Sequence, residues 1–282
     1  MRKSKKRRKL LKKVVVYVLL LIGIFFVLFP FFWMVSSSFK PLGEMFAAEP
    51  TLLPKNPTLI HYKDLFNPYT HFTSSLKNSF KIALTVTLLV VIIATMGAYS
   101  ITRFKYPGRD IIGRAVFVIY IFPGILTLIP FFILMVMLGL YDKLGGLILG
   151  STVGQFALCM WILTGFFKGI PLEIEEAAIV DGASRFQALY KIILPLASPG
   201  IIAIAIFSFL GAWNQYLFAL VMIDSKEKMT LPLVIASFMS WARTRWGPLL
   251  ASSILTIIPI IVLFTILQKY LVKGLTAGAV KG

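Results

Sequence analysis

EEAAIVDGASRFQALYKIILP, Glu175 to Pro195, is a polar insert in an oily chain, and its reading decides the fold. The runs on either side, ALCMWILTGFF at 157–167 and IIAIAIFSFLGAW at 201–213, carry no charge, whereas the insert holds Glu175, Glu176, Asp181, Arg185 and Lys191. Pro171 suits the first turn of a helix, and Glu173, Glu175 and Glu176 complement its positive amino end. That helix should stop near Gly182, where the missing side chain permits a left-handed turn. Ser184 with Gln187 three residues later has the capping-box pattern, opening a second helix, SRFQALYKIIL, which Pro195 ends. Ile174, Ala177, Ala178 and Asp181 share one face by three-and-four spacing, a small-residue surface that another protein can approach closely. A loop lying on lipid headgroups would instead have no need of an acidic cluster facing a negative leaflet.

Outward from this insert, the composition places the chain in a bilayer. Of 282 residues 58% are hydrophobic and only 14% charged, with a mean hydropathy of +0.87, far from the soluble norm. The net charge of +18 does not mark a nucleic-acid binder, because the basic residues cluster beside apolar spans and no zinc-ligand spacing accompanies them. Cys159 is the single cysteine and lies inside an apolar run, so there is no disulfide framework. The head, MRKSKKRRKLLKK, leads into VVVYVLLLIGIFFVLFPFFWMV, about twice a signal-peptide core and without a small-x-small cleavage site, and reads as a retained first transmembrane helix.

Six apolar spans of bilayer length are expected, at roughly 14–35, 79–101, 112–138, 145–167, 199–223 and 248–271. An even number puts both termini on one side. Nineteen of the 29 Lys and Arg then fall on that side, which orients both ends to the cytoplasm. The expected organisation is a basic cytoplasmic terminus at 1–13, a first transmembrane helix at 14–35 and an extracytoplasmic loop at 36–78. A core of five transmembrane helices at 79–271 follows, with the polar loop at 168–198 inside it, and a cytoplasmic tail at 272–282. Pro41, Pro50, Pro54, Pro57 and Pro68 favour an irregular connection across 36–78. His61 and His71 in it read as surface histidines, with no Cys or close carboxylate pair to make a metal site. Several spans are expected to be interrupted by proline: Pro123 and Pro130, seven residues apart, fall on one face of the third, and Pro259 breaks the sixth. Such breaks occur along transport pathways and also as plain packing features.

No G-x-x-x-x-G-K-[ST] cradle, H-E-x-x-H or G-x-S-x-G is present, so the chain is read as no enzyme and as holding no cofactor of its own. The central parts of the spans contain no Asp or Glu, against a proton- or sodium-coupled carrier. Trp213, Asn214, Gln215 and Tyr216 form an amide pair between aromatics, suited to sugar hydroxyls and ring faces. Bonding between helices or an interfacial belt would explain them as well. In the last outer loop, Trp241, Arg243, Arg245 and Trp246 are of the residue types that anchor interfaces, or that anchor a span at the membrane surface.

EAAIVDG at Glu176 to Gly182, followed after nine residues by IILP at Ile192 to Pro195, resembles the EAA loop of integral membrane subunits of bacterial and archaeal ABC importers. NSFKIALTVTLLVVIIATMGAYSITRFKYPGRD, GAWNQYLFALVMI with TLPL, and the tail KGLTAGAVKG are similar to the carbohydrate-uptake branch, the tail to its MalG-like, maltose-type permease. The resemblance implies an all-α membrane protein with the type I importer permease fold, six transmembrane helices and a cytoplasmic coupling helix in the polar loop. It implies a permease importing a sugar through a bacterial or archaeal plasma (inner) membrane. Its partners would be a second MalF-like permease, two ATPase copies using ATP and Mg2+, and an extracytoplasmic sugar-binding protein. Glu175, Glu176, Ala177, Ala178, Asp181, Gly182, Leu194 and Pro195 would form the ATPase-coupling surface, and the tail from Gly274 to Gly282 would reach between the ATPases. The other readings are the same fold carrying a non-sugar solute, and a membrane scaffold or sensor using the polar loop to hold a kinase.

Overall fold

Every fourth residue of one long helix, Val86, Val90, Ala94 and Ala98, is buried, a straight stripe of small and β-branched side chains. In a bilayer, lipid is as apolar as leucine, so helices associate through close packing of such small residues. This stripe builds the centre of the chain. The computed structural model describes residues 2–239 and 244–279, with side chains described for 9–239 and 244–268.

Regular structure among the described residues is helical apart from a single bridge between Met239 and Thr244. The helices are α1 (Arg2–Ser38), α2 (Leu42–Met45), α3 (Ile60–Leu65), α4 (Phe72–Arg103), α5 (Arg109–Ile121), α6 (Gly124–Met137) and α7 (Leu144–Lys168). After the polar loop's α8 (Leu172–Val180), α9 (Arg185–Ala188) and α10 (Leu194–Leu196) come α11 (Ser198–Trp213), α12 (Leu217–Met222), α13 (Leu231–Ser237) and α14 (Trp246–Ala279). Two compact units result, one of residues 1–67 with 238–255 and one of 68–237 with 256–282.

In the larger unit α4 packs along α7 and α11, with Leu163, Phe167 and Met160 of α7 and Ile204 and Phe209 of α11 buried beside its stripe. At the end of α7 away from the polar loop, one carboxylate ties two connections together. Asp142 accepts from the backbone N–H of Asp224 (3.1 Å) and Ser225 (3.0 Å), from the Ser225 hydroxyl and from Lys228 Nζ (2.6 Å). The Lys228 ammonium, with the Ser225 donors, holds this carboxyl well below the usual aspartate range. A depressed folded value means the stabilisation is complete above the unfolded value of about 4 and is lost as the pH falls below it. Asp142→Asn is therefore expected to lower the melting temperature in detergent by about 2–4 °C at neutral pH. The gap to the parent should close on acidification; a constant gap down to pH 3 would show that the carboxylate's charge is not what stabilises.

In the smaller unit α1 carries a long apolar stretch, none of which is buried within the chain. The following loop is more ordered than its prolines suggest. Glu44 gathers the Thr51 hydroxyl (3.0 Å) and the N–H groups of Lys55 (2.7 Å) and Asn56 (3.3 Å), and these donors lower its pKa. Lys40 is buried, with its ammonium on the Thr51 carbonyl and 4.6 Å from the Trp33 ring centre. His61 is no surface histidine: it is 3% exposed, donates from Nε2 to the Lys40 carbonyl (2.8 Å) and packs against Gly247. Beside it the Tyr62 ring lies 5.3 Å from that of Phe39, and Leu65 of the same helix is fully buried.

Among the described residues, four helical stretches are long and apolar enough to cross a membrane: Lys9–Ser38, α4, α7 and Trp246–Gln268. The number rises to six if each of two bent pairs counts as one span. The third span is one of these: it breaks at Phe122 and Pro123, and α5 and α6 diverge by 101°. Pro123 and Pro130 therefore do not share a face of one rod, because the residue before a proline is driven to extended backbone and the helix restarts in a new direction. The fifth span is also interrupted, at Asn214 to Tyr216 between α11 and α12. Pro259, by contrast, breaks nothing: α14 runs through it, as apolar membrane helices tolerate when neighbouring groups satisfy the freed carbonyl. The backbone of α14 continues to Ala279, and residues 280–282 of the tail lie outside the described residues.

Candidate functional site: the polar loop and the cleft

The polar loop is built from local chemistry. Pro171 precedes α8, whose first turn holds Glu173 and Glu175. At the other end Gly182, at φ +90°, donates to the Ile179 carbonyl (3.0 Å) and Ala183 donates to that of Ala178 (3.0 Å). These two bonds are the Schellman pattern, and they need a residue free to enter the left-handed region. Ser184 starts the next helix at once: its hydroxyl accepts from Gln187 N (3.2 Å), and Gln187 Oε1 accepts from Ser184 N (2.8 Å), closing the capping box.

Pro195 does not end this second helix. Residues Leu189–Ile193 form a π-helix that leads into α10, Pro195 sits inside α10, and the bend of 77° comes beyond it, before α11. A proline lacks the N–H for an α-turn and its ring crowds the carbonyl four residues back; the wider π-turn before it removes that conflict.

The loop residues singled out by sequence divide into two sets. Glu176, Ala177, Asp181, Gly182 and Pro195 are exposed, and Ala178 and Leu194 half-buried. With them Val180, Phe186 and Tyr190 leave large apolar side chains in the open, the composition of a surface that another protein covers. Glu175 faces the other way and is 3% exposed. Its Oε1 accepts from the Tyr99 hydroxyl (2.5 Å), and its Oε2 lies 3.1 Å from Arg103 Nε, an ion pair whose N–H points off the direct line. Arg103 Nη2 also donates to the carbonyls of Phe167 (3.2 Å) and Ile170 (3.0 Å) at the end of α7. Tyr99 and Arg103 were not among the expected site residues; their four-residue spacing in AYSITR was the available signal.

A second feature is an open cleft of about 740 Å³ at the two breaks, lined by α5, α6, α7 and the segment after α11. Asn214, Gln215 and Tyr216 line it; Trp213 does not. That indole is fully buried, stacked on Phe209 (5.5 Å) and edge-on to Phe80 (4.8 Å). Ser151 hydrogen-bonds the Gln215 amide oxygen, and Asn214 Nδ2 donates to the Leu210 carbonyl (2.9 Å), which caps α11. Gly150 forms the cleft's tight point, where any Cβ would run into the rings of Phe218 and Phe131. The walls thus combine aromatic rings (Tyr120, Phe131, Tyr216) with amides and a hydroxyl (Thr127).

In the smaller unit, Arg245 and Trp246 are exposed beside a cleft of about 710 Å³ that also holds His61 and Asp64. Arg245 N donates to the Phe238 carbonyl (2.8 Å), its guanidinium lies 5.5 Å from that ring, and Trp246 meets Phe46 edge-on (6.4 Å). Trp241 and Arg243 lie outside the described residues.

Apolar membrane-length helices, two broken spans around a cleft that sets two amides and a hydroxyl among aromatic and apolar side chains, and a loop with an open mixed face together define a multi-pass membrane transport component. Residues 91–277 match the family described as binding-protein-dependent transport system inner membrane component, and the chain belongs to that family. It is 37% identical over 256 residues to the inner membrane ABC transporter permease protein YcjP of Escherichia coli K12, covering 90% of this chain and 91% of that one. It is 37% identical over 259 residues to the trehalose transport system permease protein SugB of Mycobacterium tuberculosis, covering 91% and 93%. Among solved structures, a chain of a bacterial ABC transporter for import of the acidic polysaccharide alginate superposes with a TM-score of 0.80 at 26% identity, covering 92% of this chain and 95% of that one. The chain is thus an ABC importer permease with the helical fold of that class.

Proposed function

We propose that this chain is one of two permease subunits of an ATP-driven carbohydrate importer, with six spans, both termini in the cytoplasm and α8 as the helix that docks in the ATPase. The observation that carries this reading is the polar loop, whose two helix ends are closed by their own hydrogen bonds while Glu176, Asp181, Val180 and Phe186 stay uncovered. The excess of Lys and Arg beside the loop-bearing ends supports the orientation. Trehalose and alginate in the names of similar proteins support a sugar, and the cleft's rings and amides have the chemistry to meet one. A second permease, two ATPase copies binding ATP and Mg2+, and an extracytoplasmic binding protein complete the machine. Arg245 and Trp246 belong to its contact with the binding protein. ATP-driven closure of the ATPases moves α8 and switches the paired permeases from inward to outward access.

Affinity purification of the tagged chain in mild detergent, followed by mass spectrometry, tests this assembly. A second permease and an ATPase in stoichiometric amounts are expected, and Glu176→Lys should reduce the ATPase recovered about tenfold. Recovery of neither partner after crosslinking would overturn the assignment.

A further inference from the structure

Glu175 is the one acid of α8 that a docking partner cannot reach. It is buried, yet it sits one residue before the exposed Glu176. Both of its oxygens are engaged by the last turn of α4, Oε1 by Tyr99 and Oε2 by Arg103. Arg103 is committed in turn to the end of α7 through Phe167 and Ile170. The second half of the loop meets the same place. The Arg185 guanidinium lies 5.2 Å from the ring centre of Phe104, and Phe104 is edge-on to Tyr99 at 5.5 Å.

Drawing α8 away from α4 would strand a buried carboxylate and a buried guanidinium, and a buried charge stripped of its partner is among the most unfavourable changes a protein can undergo. Sliding is barred as well, since the Tyr99 hydroxyl and Arg103 grip two different oxygens of one carboxylate. The remaining motion is for α8 and the end of α4 to move together. α4 packs along α7 and α11; α7 walls the cleft at Gly150 and Gly154, and the segment that leaves α11 lines it from Asn214.

We infer that Tyr99, Arg103 and Glu175 form a latch through which α4 receives the movement of the polar loop, with Glu175 the positioning residue that fixes α8 to it. The inference rests on the docking role proposed for α8. Glu176 and Glu175 then divide the work: the outer acid meets the partner, and the inner one passes the displacement to the membrane helices.

The test uses the intact complex in proteoliposomes, in a Cys159→Ser background with Thr127→Cys in the cleft as reporter. The readouts are ATP hydrolysis, ATPase retained per permease, and labelling of this chain by a membrane-impermeant maleimide with and without MgATP plus vanadate. In the reporter parent, labelling should rise severalfold on trapping. Glu175→Gln should keep hydrolysis and retention within about twofold while the rise in labelling disappears. Tyr99→Phe, which removes one hydroxyl and keeps the ring, should cut the rise at least in half, and the double variant should be no worse than Glu175→Gln alone. A full labelling rise in Glu175→Gln overturns the latch, as does loss of hydrolysis and retention in proportion to labelling, which is the signature of a residue needed only for folding. If Glu175→Gln does not assemble, Tyr99→Phe decides by the same criterion. A parent that retains no ATPase contradicts the docking role itself, whereas retained ATPase with an unaffected Glu175→Gln contradicts the latch alone.

Discussion

A Gly182→Val chain is expected to reach the membrane at the parental level and to lose at least about nine-tenths of ATP-driven uptake. The glycine sits at φ +90° with open space where a Cβ would point. The penalty is therefore conformational: about 1–2 kcal/mol for a left-handed L-residue, and more for a β-branched one. The chain can escape that strain only by undoing the turn, which breaks the Ala183-to-Ala178 bond and swings α9 away from α8. Asn tolerates the left-handed region better than Ala, and Ala better than Val, so the loss should grow from Gly182→Asn through Gly182→Ala to Gly182→Val. Uptake in vesicles, normalised to membrane-inserted protein, checks the series. Equal uptake across the three would mean that the angle between the two loop helices is irrelevant to transport.

Arg103→Ala should be the most damaging single change to the protein's integrity. It removes the countercharge of Glu175 and the donor to two carbonyls at the end of α7 in one step. Removing one partner of a buried ion pair is worth about 3–5 kcal/mol. Loss of folded protein at moderate temperature in detergent is the expected result. Pairing Arg103→Met with Glu175→Leu should recover most of the thermal stability, because two apolar side chains of similar volume replace a buried pair with little net cost. The double variant separates structure from transmission: it should be stable and still transport poorly. A double variant no more stable than Arg103→Ala would show that the two side chains do not act as a pair.

What could be read along the chain was what short-range chemistry decides. The Gly182 turn and the Ser184–Gln187 box depend on residues within five positions of one another, and both are present as expected. The inward turn of Glu175 depends on Arg103, far back in the sequence, and nothing in the run Glu175 to Gly182 distinguishes it from Glu176. Proline was legible only in part. Pro123 interrupts the third span as expected, but the turn of 101° there takes Pro130 off its face, while Pro195 and Pro259 lie inside helices expected to stop, since whether the freed carbonyl finds another partner is settled by the surroundings. Trp213 and Asn214 are adjacent in sequence but part company because α11 ends between them, leaving the indole in the packing and the amide in the cleft. His61 is buried by residues of its own loop and by Gly247, a neighbour no local pattern announces.

The closure of the polar loop on itself bears on how fast the machine can work. Both helix ends beside Gly182 are satisfied without help from outside, and the inner acid is tied down, so the loop holds its shape before any partner arrives. A partner that meets a rigid knob loses little conformational entropy in binding it, and no slow folding step precedes engagement. On the docking role proposed for α8, a push on the loop is expected to travel inward at once as a displacement, because there is no slack in the loop to absorb it.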